Sequence, residues 1–210
     1  MSHDDFATEP VRGLPEAPPE GERILWQGRP HGFWLSWEAL SLPWVGGYFI
    51  LLALWRFVTL IDRMPLDKAT AAATPLLVMG AVVIALLLAV GYVQARATVY
   101  TITDRRVAMR IGAALTVTLN LPFTQIASAD FRRGRGGTGT IALDLMGDTR
   151  LSYLVCWPHV RPWVMRHTHP ALRAIPEAER IAALLAEAAE TRLSTPQIAR
   201  RPAAAPIAAE

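Results

Sequence analysis

Between Lys68 and Arg96 the chain runs for 27 residues without a charged side chain, and Pro75–Val93 within that run is 19 residues built mostly of Leu, Val, Ala and Ile. A helix rises about 1.5 Å per residue, so roughly 20 such residues cross the hydrocarbon core of a bilayer. A helix buried in a soluble globule does not need an uncharged run of that length. The sequence therefore predicts a membrane span over residues 72–95. Upstream, Ala39–Trp55 is uncharged for 17 residues, Arg56 interrupts, and Phe57–Ile61 is apolar again. Arg56 lies close enough to the far end for its long side chain to reach the interface. Pro43 and Gly46-Gly47 are tolerated near the start of a span. Trp34, Trp37, Trp44 and Trp55 cluster towards the two ends, as interfacial aromatics do. A first span over residues 39–61 follows, and the short connection Asp62–Lys68 forces the two into an antiparallel hairpin.

Composition agrees. Hydrophobic residues make up 52% of the chain, charged residues only 19%, and the mean hydropathy is +0.25. A soluble domain carries about 25% charged residues, so the balance argues against a disordered chain or a nucleic-acid scaffold. The single cysteine, Cys156, excludes an internal disulfide framework and any multi-cysteine metal site.

Charge is unevenly placed. Residues 1–38 hold three Lys/Arg against seven Asp/Glu, whereas residues 96–170 hold ten against four. Arg23 and Arg29 precede the first span, Arg96, Arg105, Arg106 and Arg110 follow the second, and the turn has Arg63 and Lys68. Basic residues favour the cytoplasmic side, which predicts a multi-pass protein of the cytoplasmic membrane with both termini inside. Residues 1–38 contain no apolar core of a cleavable signal, so the first span is expected to be the targeting signal. Ala81, Ala85 and Ala89 recur every four residues on the second span. Such a stripe lets another helix approach closely, and the first span is the expected neighbour.

After Arg96 the apolar period changes from helical to two. Tyr100 and Ile102, then Val107, Met109 and Ile111, then Leu115, Val117, Leu119 and Leu121, then Ile141, Leu143 and Leu145, and finally Leu151, Tyr153, Val155 and Trp157 alternate with other residues. Each run would bury one face of a strand and wet the other. Glycines and prolines punctuate the runs, so five or six short strands are expected to curl into a small antiparallel barrel. Pro176, Glu177 and Glu179 mark a helix start, and Ile181, Leu184, Leu185 and Ala188 form its apolar face. Residues 194–210 and the N-terminal residues up to about Glu20 read as disordered tails. The apolar Ile24-Leu25-Trp26 segment makes residues 23–27 a candidate extra strand. The expected organisation is thus an N-terminal tail (1–38), a helical hairpin (39–95), a cytoplasmic β module closed by a helix (96–193) and a tail (194–210).

Gly134-Arg135-Gly136-Gly137-Thr138-Gly139 matches G-x-G-x-x-G, but a dinucleotide site needs a helix immediately afterwards, and here a strand follows. A flexible hairpin loop is expected instead. Arg132, Arg133 and Arg135 make that loop basic, and with Arg105 and Arg106 they are candidate contacts for anionic lipid headgroups or an acidic partner surface. His167 and His169 would not share a helix face, and no acid or cysteine accompanies them, so a metal site is not expected. Neither span contains histidine, which argues against pigment ligation. No paired carboxylates, no Ser/His/Asp set and no phosphate loop in context survive, so neither an enzyme nor a bound cofactor is expected.

The segment Pro19–Pro30 (PEGERILWQGRP), a membrane hairpin, and then Tyr100–Val107 (YTITDRRV) resemble the bacterial PH-like membrane family. The continuation Met109–Phe131 (MRIGAALTVTLNLPFTQIASADF) is similar to photosynthetic complex assembly proteins of purple bacteria, and the likeness runs from about Leu14 to Leu193. The resemblance implies an α+β membrane protein: a two-helix transmembrane hairpin, then a PH-like β-barrel capped by a C-terminal helix. It also implies a non-catalytic role in assembling the reaction centre and its core light-harvesting complex. Some members have been drawn with a third span. None is expected here, because Arg161, Arg166, His167 and His169 interrupt the remaining apolar region. The partners expected are reaction-centre or core-antenna subunits, membrane lipids and a second copy in a homodimer, without nucleic acid. A PH-like scaffold that binds anionic headgroups or envelope proteins, unrelated to photosynthesis, is the other reading.

Overall fold

A computed structural model describes residues 9–113, 115–147 and 151–194. Strand β1 (Ile24–Gly28) comes first, then helices α1 (Gly32–Ala39), α2 (Leu42–Ile61) and α3 (Leu66–Ala97). Strands β2 (Val99–Thr103), β3 (Arg106–Ile111) and β4 (Val117–Pro122) follow. A short 3-10 turn then leads into β5 (Ile126–Arg133) and β6 (Thr138–Leu145). The chain ends in a one-turn helix α4 (Tyr153–Cys156), strand β7 (Ala171–Pro176) and helix α5 (Ala178–Ser194).

Helices α2 and α3 are both long and apolar enough to cross a membrane, and only 6% and 11% of their most apolar stretches are buried inside the protein. Core helices of soluble proteins would be mostly buried, whereas here Trp44, Leu51, Trp55 and Leu86 stand open. The contact face between them is made of small residues. A Cβ on Gly80 would lie 2.7 Å from Cβ of Phe49, so only glycine allows that approach. Ala73 and Ala53 are buried on the same seam. Ala81, Ala85 and Ala89 are exposed on the opposite side of α3. The expected packing of that stripe against the first span is therefore corrected: Gly80 meets Phe49 of α2 instead, on the side of α3 that buries Ala69 and Ala73.

The first apolar helix, expected over residues 39–61, runs over Leu42–Ile61, and residues 32–38 of the expected N-terminal tail belong to a separate helix, α1. Ser41 adopts a left-handed conformation at φ 54°, and it breaks α1 from α2. Helix α1 continues along α3, where Ser36 sits over Gly91 so closely that no side chain fits there. With 32 residues, α3 is about 48 Å long, well beyond a hydrocarbon core of about 30 Å. Its last turns, including the buried Gly91 and Ala95, carry α1.

The β module consists of two antiparallel sheets, one ordered β1-β2-β3-β4 and the other β5-β6-β7. Tyr100, Ile102, Val107 and Met109 from the first sheet pack with Ile141, Leu143, Leu172 and Ile175 from the second. Helix α5 closes this core with Ile181, Leu185 and Ala188, the face expected from its sequence. Strand β1 pairs with β2, Trp26 opposite Ile102 and Gly28 opposite Tyr100, so the module is threaded from both sides of the hairpin. Leu151–Trp157 is not a strand, as alternation suggested. It forms α4, with Leu154 and Val155 exposed and Leu151 and Tyr153 against the core. Pro176 ends β7 rather than opening α5.

Candidate functional site

The hairpin tip between β5 and β6 rests on α1, at the end of the helical hairpin where β2 leaves α3. Gly136 and Gly137, with φ of 62° and 72°, turn the chain and place Gly136 against the Trp34 indole, where a Cβ would collide. Trp34, Trp37 and Phe33 form one aromatic cluster with ring centroids 5.0 to 6.2 Å apart. The Arg135 guanidinium lies 5.5 Å from the Trp37 ring centre, within the range of a cation–π attraction. An open cavity of about 600 Å³ separates this tip from the start of α2. Trp37, Ser41 and Trp44 line one side, Arg132, Arg133 and Arg135 the other, and Glu38 the floor.

Beneath the cavity lies a buried polar chain. Arg173, on β7, is 2% exposed. Its Nη1 donates to the Pro158 carbonyl at 3.2 Å, and its Nη2 stands 4.0 Å from Glu38 Oε2. Arg132 approaches the same oxygen at 3.9 Å, so one carboxylate is shared loosely by two cations. The backbone N–H of Arg173 donates to the Tyr100 hydroxyl at 3.3 Å. That hydroxyl lies 2.6 Å from His159 Nδ1, and His159 Nε2 lies 3.0 Å from Thr98 Oγ1. Thr98 in turn donates to the Gln94 carbonyl at 2.8 Å. One assignment satisfies every group: Tyr100 donates to Nδ1, and the Nε2–H of a neutral imidazole donates to Thr98. Burial, reinforced by the Arg173 charge, depresses the His159 pKa from 6.5 to about 3, in keeping with that neutral tautomer. Burial likewise raises the Tyr100 pKa, against the Arg173 backbone hydrogen bond and charge. It lowers that of Arg173, with Glu38 and Tyr100 opposing. The chain ties the last turn of α3 to β7. It offers no exposed nucleophile.

The sequence-derived candidates separate here. Arg132, Arg133 and Arg135 converge at the cavity. Arg105 and Arg106 sit at the far end of β2, where Arg106 pairs with Glu22 at 2.9 Å and donates to Asn120 at 3.3 Å. His159 is the buried link just described. His167 is exposed, and His169 lies 3.3 Å from Asp144. Among the described residues, no three His, Cys, Asp or Glu side chains are grouped to hold a metal ion. Cys156 is buried on α4, not on a strand, and burial pushes its thiol pKa up. Gly134–Gly139 spans a hairpin loop, as its context suggested. Glu38 and Arg173 were not foreseen. The one available signal was an arginine amid the otherwise apolar run Ala171–Pro176.

These features define a helical hairpin carrying a PH-like module at its open end. Residues 39–189 match the family described as bacterial PH domain, and the chain belongs to it. The match covers the hairpin and strands β2 to β7. The chain is also 47% identical, over 206 residues, to a Rhodobacter capsulatus protein described as an "uncharacterized 23.7 kDa protein in puhA 5'region". That similarity covers 97% of this chain and 96% of the relative. No solved structure matches the chain. PH-like domains are in general non-enzymatic.

Proposed function

We propose that this protein is a non-catalytic membrane assembly factor for the photosynthetic reaction centre and its core light-harvesting complex, of the PuhB type. The observation that carries the reading is the relative described as lying in the puhA 5' region, whose similarity covers 97% of this chain. The likeness of Met109–Phe131 to such assembly proteins supports it, as does an architecture of two apolar helices with a β module. In this reading α2 and α3 cross the cytoplasmic membrane with both termini inside. The exposed side of α3, with Ala81, Ala85 and Ala89, meets helices of a client subunit. The basic module holds the client's extramembrane region, or a second copy of the chain, until the complex is complete. Deleting the gene in a purple bacterium is expected to lower reaction-centre content and delay its accumulation, as read by the near-infrared absorption of intact cells. Normal content and normal kinetics would refute the assignment.

A further inference from the structure

The cavity between the β5–β6 tip and the start of α2 combines three features that one ligand chemistry explains. Its basic side is formed by Arg132 and Arg133, whose side chains are 68% and 72% exposed, together with Arg135 on Trp37. The Glu38 carboxylate at its floor is 14% exposed and already lies between Arg132 and Arg173, so the mouth keeps a surplus of positive charge. Among the described residues Arg133 pairs with Glu179, and both partners are solvated, which holds it weakly. On the other side Trp44 is 83% exposed, one turn into α2. An amphipathic indole there marks the level of lipid headgroups. Arginine forks matched to phosphate oxygens, beside indoles at interface depth, suit an anion that arrives with an acyl tail rather than one from bulk water.

We propose that this cavity binds the phosphate of an anionic phospholipid headgroup from the leaflet bordering α1 and α2. The inference rests on α2 and α3 crossing a bilayer, but not on any photosynthetic client. Arg105 and Arg106 belong to the other end of the module and take no part.

The test uses the full chain in nanodiscs of equal dioleoylphosphatidylglycerol and dioleoylphosphatidylcholine, released into native mass spectrometry to count retained lipids. The wild type is expected to retain phosphatidylglycerol over phosphatidylcholine by about fivefold or more, the scale of one basic contact. R132Q/R133Q/R135Q is expected to bring the ratio close to one, and R105Q/R106Q to leave it unchanged. The single R133Q touches only the solvated Glu179, so it should fold, and it should lower the ratio partway. Adding 50 mM inorganic phosphate is expected to leave the adducts in place. The proposal is overturned by a wild type without preference, by an unchanged ratio in R132Q/R133Q/R135Q and R133Q, or by an equal loss in R105Q/R106Q. Displacement by free phosphate overturns the lipid as occupant. A wild type without lipid preference that loses an acidic client with R132Q/R133Q/R135Q would make the patch a protein contact instead. Failure of any of these arms leaves the gene-deletion result untouched, so the two readings fail separately.

Discussion

At the scale of single residues, the junction relies on charges and hydrogen bonds that cannot reach water. His159 is neutral in the folded protein because burial depresses its pKa to about 3, whereas an unfolded chain would titrate it near 6.5. The unfolded state therefore binds more protons between those two values. The contribution of His159 to stability is complete above about pH 6.5 and is lost as pH falls towards 3. The melting temperature in detergent should fall on acidification through that window, and His159→Gln should flatten the fall. An identical slope in the variant would show that other groups govern the acid response. Glu38 and Arg133 make a second contrast. Removing Glu38 strands Arg173 as a buried charge, so Glu38→Ala should cost about 3 kcal/mol in chemical unfolding. Arg133→Ala, in a solvated pair, should change stability by about 0.5 kcal/mol or less.

At the scale of elements, glycine at a crossing point matters more than an alanine stripe. Gly80→Leu drives a side chain into Phe49 and should lower the melting temperature sharply, whereas Ala85→Leu, on the exposed face, should leave it unchanged. If that face meets a client helix, Ala85→Leu should still reduce reaction-centre yield in cells. Legibility also divides by element. Strands β2, β3, β4 and β6 announced themselves because each has one face in the core and its apolar side chains alternate accordingly. Strand β5 did not: nearly all of it is exposed, and Ile126–Arg133 has no apolar period to read. The false strand at Leu151–Trp157 shows the converse. Leu154 and Val155 supplied apolar letters, but the segment turns through α4 and leaves both in the open. Helix α1 was not legible in the expected tail, and its break from α2 depends on the left-handed backbone of Ser41, which no local signal marks.

For the whole molecule, the decisive pairing is long-range. Strand β1 lies before the hairpin and β2 after it, yet they are neighbours through Gly28 and Tyr100. A chain beginning at residue 96 would leave β2 as a raw edge, although all of its residues are buried in the intact protein. Such a fragment should aggregate or melt well below one in which residues 20–30 are rejoined to it by a short linker replacing the hairpin. Equal solubility and equal melting would mean that β1 is dispensable. The same geometry hid the basic site. Arg105-Arg106 and Arg132-Arg133-Arg135 are alike as sequence, and only the sheet connections send one group to the helices and the other away from them. Glu38 and Arg173 are separated by most of the chain and meet only because α1 docks beside β7, where the His31 N–H donates to the Ala174 carbonyl at 2.8 Å.

The interruption of one sheet by two long apolar helices also imposes an order on biosynthesis. Strand β1 leaves the ribosome well before its mate exists and has to wait until both helices have been made. Should only one helix enter the bilayer, β1 and β2 would be stranded on opposite sides and could never join. Closure of the sheet thus requires both ends of the helical pair to lie on one side, and a copy in which they do not is left with an open strand.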